Sequence, residues 1–181
     1  DYDGIWASCP AINWTQFLAS GLWAVTVMNE YDHILGFHKI NAFRDAVHNS
    51  VGGKENYFQV EERIDFDPYT ILGQKTKGGK ITEKDCLVMQ EIWKGPHTTG
   101  NDFLWYSFLP GGTFWNKIIP IGSFYYPLIG KRPKCFSLVE QYVHLAFEDP
   151  KKDLLHLKIR DFEKVFDTCI RKLGWLSCDH A

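Results

Sequence analysis

Runs of β-branched and aromatic residues, closed at short intervals by glycine, proline and asparagine, constrain this chain most. Such punctuation predicts antiparallel strands joined by hairpins. Residues 22 to 28 read as a first strand after Gly21, and residues 34 to 48 as a long second one ended by Asn49-Ser50-Val51-Gly52-Gly53-Lys54. Residues 57 to 66 alternate, with Phe58, Val60, Ile64 and Phe66 on one face and Tyr57, Gln59, Glu61, Arg63 and Asp65 on the other. Asp67-Pro68 closes that strand. Residues 69 to 77 and 80 to 93 flank Gly78-Gly79, which suits a tight hairpin. Residues 103 to 109, 136 to 147 and 154 to 160 continue the series, whereas Pro120, Pro127 and Pro133 reduce 113 to 134 to a loop with an edge strand.

From Asp161 the spacing turns helical. Phe162, Val165, Phe166, Cys169, Ile170 and Leu173 fall on one stripe and Gly174 follows as a stop signal. About eight strands in sequence order with one late helix predict an all-β fold, an eight-stranded up-and-down antiparallel β-barrel with the C-terminal α-helix packed outside. A length of 181 residues fits a single domain, 1–181. A barrel of that size holds one small ligand.

Charge narrows the partners. With 20 basic and 22 acidic residues, a net charge of -2 and a pI near 6.4, the chain lacks the footprint of a nucleic-acid or anionic-membrane binder. No stretch approaches the roughly 20 apolar residues needed to span a bilayer, so membrane insertion is not expected. Aromatic residues make up 15%, far too many for a disordered chain.

The motifs of covalent chemistry are missing: there is no Gly-x-Ser-x-Gly, no phosphate or dinucleotide loop and no His-Glu-x-x-His. The seven histidines, at 33, 38, 48, 97, 144, 156 and 180, lack the spacing of metal ligands. No enzyme, metal or cofactor is therefore expected. Five cysteines, at 9, 86, 135, 169 and 178, fit either reduced core thiols or disulfides. The sequon at Asn13-Trp14-Thr15 and a first residue, Asp1, that is not methionine point to the second, in a secreted glycoprotein.

Cys9-Pro10, Phe17 and Gly21-Leu22-Trp23 near the start, with Leu155 to Arg160 leading directly into a helix, resemble the lipocalin family. The family's third motif, Thr-Asp-Tyr, has Glu140-Gln141-Tyr142 as its best counterpart. The resemblance implies that Arg160 packs over Trp23 at the closed end of a barrel. It also implies bridges from Cys9 to Cys135 and from Cys86 to Cys178, leaving Cys169 free. The function it implies is that of a secreted binding protein carrying or sequestering a small hydrophobic or aromatic ligand, such as a lipid, pigment or amine. Phe58, Phe66, Trp93, Trp105 and Phe136 would form the cavity walls. Glu62, Glu140, Tyr142 and His144 either cluster inside to orient the ligand or point out to water. The alternative is a lipocalin acting on a protein partner through its open-end loops, with residues 110 to 133 as the contact surface.

Overall fold

The computed structural model describes Gly4 and residues 13–51, 64–107, 109–112, 137–153 and 156–173. These residues build a helical assembly: α1 (Trp14–Ser20), α2 (Trp23–Glu30), α3 (Phe37–Ser50), a 3-10 turn (Pro68–Ile71), a two-stranded ribbon of β1 (Lys75–Thr76) and β2 (Gly79–Lys80), then α4 (Glu83–Lys94), α5 (Ser137–Phe147) and α6 (Ile159–Leu173). The all-β barrel is overturned, for the ribbon is the only sheet among the described residues.

Each misread segment has its own physical reason. In α2 the run from Trp23 to Met28 is buried on every side. A helix covered all round shows no apolar stripe, and a short apolar run cannot then be told from a strand by its pattern. In α3 the buried Ile40, Phe43 and Val47 recur at helical spacing, as do Val139, Tyr142, Val143 and Ala146 in α5. Their β-branched and aromatic neighbours obscured that period, although helix propensities differ by only about 0.7 kcal/mol among ordinary residues and packing overrides them. The plainest signal missed is at α4. Thr82 and Asp85 form a reciprocal capping box, Glu83 and Asp85 sit in the first turn, Lys94 in the last, and Gly95 follows.

Two local readings match, the first in part. The hairpin expected over 69–77 and 80–93 is present only as a short ribbon at 75–80, with Thr76 paired to Gly79, so that Lys77 and Gly78 rather than the two glycines occupy the turn. In α6, Phe162, Val165, Phe166 and Cys169 are buried, while Ile170 at the edge of the stripe is exposed.

Helix α6 packs on α5, α1 and α2; α2 in turn packs on α4, and α4 on the 3-10 turn. Trp23, Phe43, Met28, Ile92 and Phe162 fill the space between them, none with more than a trace of exposed surface. Burying such side chains contributes roughly 1.5 to 3 kcal/mol each. Polar ties join elements far apart in sequence: Thr15 Oγ1 donates to Leu173 O at 3.3 Å, and Ile159 N, at the start of α6, donates to Glu30 Oε2 at 2.9 Å. No helix among the described residues is long and apolar enough to cross a membrane.

Candidate functional site

A cleft of about 990 Å3 opens between α4 and the loop that follows it. Its walls are the outer face of α4 (Glu91, Trp93, Lys94), residues Ile64 to Pro68 and the aromatic run from Phe103 to Tyr106. The loop is held in a fixed shape by short-range bonds. His97 bridges to Phe103, Leu104 N and Trp105 N both donate to Pro96 O (2.9 and 3.2 Å), and Thr98 N donates to Asp102 O at 2.9 Å. Gly95 makes the return possible. Its φ is 90°, and a Cβ there would lie 2.9 Å from Ser107 N, closer than a side chain tolerates. The loop is tied to α6 as well, where Glu163 Oε1 accepts from Thr99 N.

Beneath the loop stands Trp23. Its indole donates to Glu91 O at 3.2 Å and meets His97 edge-on at 4.8 Å between ring centroids, with Phe162 on another side at 5.2 Å. His97 Nδ1 pairs with Gly95 O at 2.8 Å, and Nε2 lies 3.6 Å from Glu91 Oε2. The cleft floor is thus fixed to the core, while Phe103 (66%) and Tyr106 (73%) stay exposed on the rim. Trp93 contacts Phe66 at 6.0 Å on the cleft side and Phe43 at 6.1 Å on the core side, both edge-on. Such ring pairs add about 0.5 to 1.5 kcal/mol beyond their buried area. With Glu91 as an acceptor and Lys94 Nζ 3.7 Å from its carboxylate as a donor, the cleft offers flat apolar walls and a few polar groups, the usual make-up of a small-molecule site.

A second cluster surrounds Asp85. Its fully buried carboxylate accepts from Lys39 Nζ (2.6 Å), His33 Nε2 (2.8 Å), Thr82 N (2.7 Å) and Thr82 Oγ1 (2.8 Å). Burial pushes this carboxyl up, but the bonds from Lys39, His33 and Thr82 outweigh it and hold the group below its ordinary range. Among the described residues its partners come from the start of α3, the α2–α3 connection and the cap of α4, so Asp85 works as a clamp between these segments. Among the described residues no group of histidine, cysteine or carboxylate side chains is placed to hold a metal ion.

Of the residues singled out in the sequence, Phe66, Trp93 and Trp105 line this one cleft, though between a helix and a loop rather than inside a barrel. Glu140, Tyr142 and His144 lie elsewhere, on α5. Alternate residues share a face of a strand but not of a helix, so Tyr142 is buried while Glu140 and His144 are half-buried. Burial raises the Tyr142 hydroxyl above its usual pKa, the neighbouring Cys169 adds to the shift, and a hydrogen bond with Thr15 opposes it. Phe58, Glu62 and Phe136 lie outside the described residues, as do Cys9, Cys135, Cys178 and most of 110 to 133.

The expected stacking of Arg160 on Trp23 is replaced: Trp23 packs on His97 and Phe162, and Arg160 is exposed on the first turn of α6. The Cys86–Cys178 bridge is overturned too, since Cys86 is a buried free thiol with Sγ 3.4 Å from Pro68 O. Cys169 is likewise a buried free thiol. Asn13 precedes α1 with φ 52°, and Thr15 of its sequon is buried. The residues that pattern reading missed are Glu91, Lys94, His97, Phe103 and Tyr106. The aromatic density of Phe103-Leu104-Trp105-Tyr106 after Gly95-Pro96 was their one available signal.

No family model and no solved structure matches the chain. A curated protein of Arthroderma benhamiae described as "Probable feruloyl esterase" is 30% identical over 136 residues, covering 69% of this chain and 23% of that protein. The chain therefore spans about a quarter of the length of the relative it matches. Together with the helical fold, likeness to a protein named as an esterase overturns the lipocalin resemblance, the carrier and protein-partner functions drawn from it, and the expectation that the chain has no part in an enzyme.

Proposed function

We propose that this chain forms the wall that binds the aromatic acid in a carboxylic ester hydrolase acting on esters of aromatic acids. The observation that carries the reading is the cleft lined by Trp93, Trp105, Phe103, Tyr106 and Phe66 together with Glu91 and Lys94. Likeness to a protein named as a feruloyl esterase supports the ester chemistry. A planar aryl group gains from offset or edge-on contact with such rings, and Glu91 and Lys94 offer an acceptor and a donor to a phenolic hydroxyl. Hydrolysis converts ester and water into acid and alcohol, and the role assigned to these residues is to bind and orient the acyl group. An extracellular location belongs to the same proposal and is supported by the sequon at Asn13.

Steady-state hydrolysis of methyl ferulate and methyl hexanoate by the full-length protein carrying this chain tests the reading. The aromatic ester should be preferred, and Trp105→Ala should raise its KM about tenfold, roughly the 1.4 kcal/mol of one good ring contact, with kcat little changed. Equal use of the two esters, or a KM for methyl ferulate indifferent to Trp105→Ala, would overturn it.

A further inference from the structure

A second depression, of about 730 Å3, lies between α3 and the β1–β2 hairpin, and its lining differs in kind from that of the aromatic cleft. Amide side chains dominate: Asn41 and Asn49 from α3 and Gln74 from the approach to the hairpin, with hydroxyls from Ser50 and Thr70. Phe66 supplies a flat apolar surface and belongs to both depressions. Gly78 brings the hairpin close to α3, since a Cβ there would lie 3.3 Å from the His38 Cβ.

Among the described residues, charge in this groove is uncompensated. Lys75 and Lys77 line it, and Lys75 stands directly opposite Lys80 across the ribbon, a like-charge pairing that weakens a two-stranded element. None of the three lysines has a salt-bridge partner among the described residues. The one carboxylate among the described lining residues, Asp45, is held by Arg44 at 2.6 Å. Among the described residues no donor meets the buried Asn41 Oδ1, an unmatched acceptor in a residue of the groove wall.

We infer that this groove binds an acidic carbohydrate, a short chain of uronic acid sugars. Amide groups pair with adjacent hydroxyls as donor and acceptor at once, Phe66 packs against the apolar face of a sugar ring, and the free lysines meet the carboxylates. A nucleic acid fits less well, for two groove lysines on a chain of net charge -2 neutralise few phosphates. The inference does not depend on the esterase reading.

Calorimetric titration of the full-length protein with tetragalacturonate, a neutral xylan tetramer and tetra-aspartate tests it. Tetragalacturonate should bind at least tenfold more tightly than the other two, and a Lys75→Ala/Lys77→Ala double variant should weaken it at least tenfold. Gln74→Ala, an exposed position where folding is not at stake, should weaken it several-fold at unchanged charge. The lysine variants should leave the KM for methyl ferulate unchanged, so failure here and failure of the esterase reading are told apart. Three results count against the groove: no binding of tetragalacturonate, binding indifferent to both sets of substitutions, or tetra-aspartate binding as tightly, which would make the ligand an acidic peptide.

Discussion

Lys39 Nζ donates to Asp85 Oδ2 across 2.6 Å, joining the first turn of α3 to the first turn of α4 through a carboxylate with no exposed surface. His33, in the connection between α2 and α3, reaches the other oxygen of the same group at 2.8 Å. One side chain thus caps its own helix through Thr82 and fixes two other segments. Removing it leaves a nearly buried ammonium unpaired, so Asp85→Ala should cost about 3 to 5 kcal/mol, read from urea unfolding at pH 7.

The same carboxylate sets a direction for acid lability. Its pKa in the folded protein lies below the ordinary value of 3.8, so its contribution is complete above that value and is lost as the pH falls through the lower folded value. Lys39→Met removes one of the groups that hold the pKa down. The acid unfolding midpoint followed by circular dichroism should therefore move to higher pH in that variant, and an unchanged midpoint would show that the pair carries no pH-dependent stability.

Gly95→Ala probes the loop that builds the aromatic cleft. A methyl group there meets Ser107 N at 2.9 Å, and φ 90° disfavours any L side chain. A loss of about 1 to 3 kcal/mol is expected, with a rise in KM for methyl ferulate because Trp105 and Tyr106 shift with the backbone. Stability and KM both at wild-type values would mean that the loop relaxes freely.

Trp23 carries the floor of that cleft. Trp23→Ala should cost about 3 to 5 kcal/mol, since it removes a fully buried aromatic together with its contacts to His97 and Phe162. Trp23→Phe keeps most of the apolar area and loses the bond to Glu91 O, so it should cost about 1 to 3 kcal/mol by the same unfolding measurement.

The two described thiols should be inert in the folded state. Burial pushes Cys169 up to about 12; burial, then the nearby Asp85 and Asp67 carboxylates, push Cys86 up to about 11. Since the thiolate is the reactive form, iodoacetamide at pH 8 should leave both unmodified in peptide maps of native protein and modify both in urea. Rapid native labelling of either would contradict its burial.

Some of this protein was legible in the chain itself. The periodic stripe of α6 was, because one of its faces meets the core and the other meets water, so the pattern records the environment. The turn of the 75–80 ribbon was in part, because a glycine-rich turn limits the backbone locally, whereas the long strands expected on either side of it are a 3-10 turn and α4. Thr82-x-x-Asp85 ahead of Cys86, Met89 and Ile92 also spelled a helix start, but the β-branched look of the segment masked it. Phe58, Phe66, Trp93, Trp105 and Phe136 were expected as walls of a barrel cavity; Phe66, Trp93 and Trp105 instead line a cleft between a helix and a loop, a setting the sequence did not announce.

The rest was decided by tertiary packing. Residues 23 to 28 are helical because α4 and α6 cover α2, so every one of its core side chains is buried and no periodicity is left to read. Glu140, Tyr142 and His144 part company for a related reason: whether residues two apart share a face depends on the backbone, and burial chose the helix. Asp85 acquires its partners from 46 and 52 residues away, and Trp23 its carbonyl from 68. Local sequence carries the small energies of propensity and turn geometry, whereas these contacts form only when remote apolar faces remove each other from water, a term several times larger for each buried side chain.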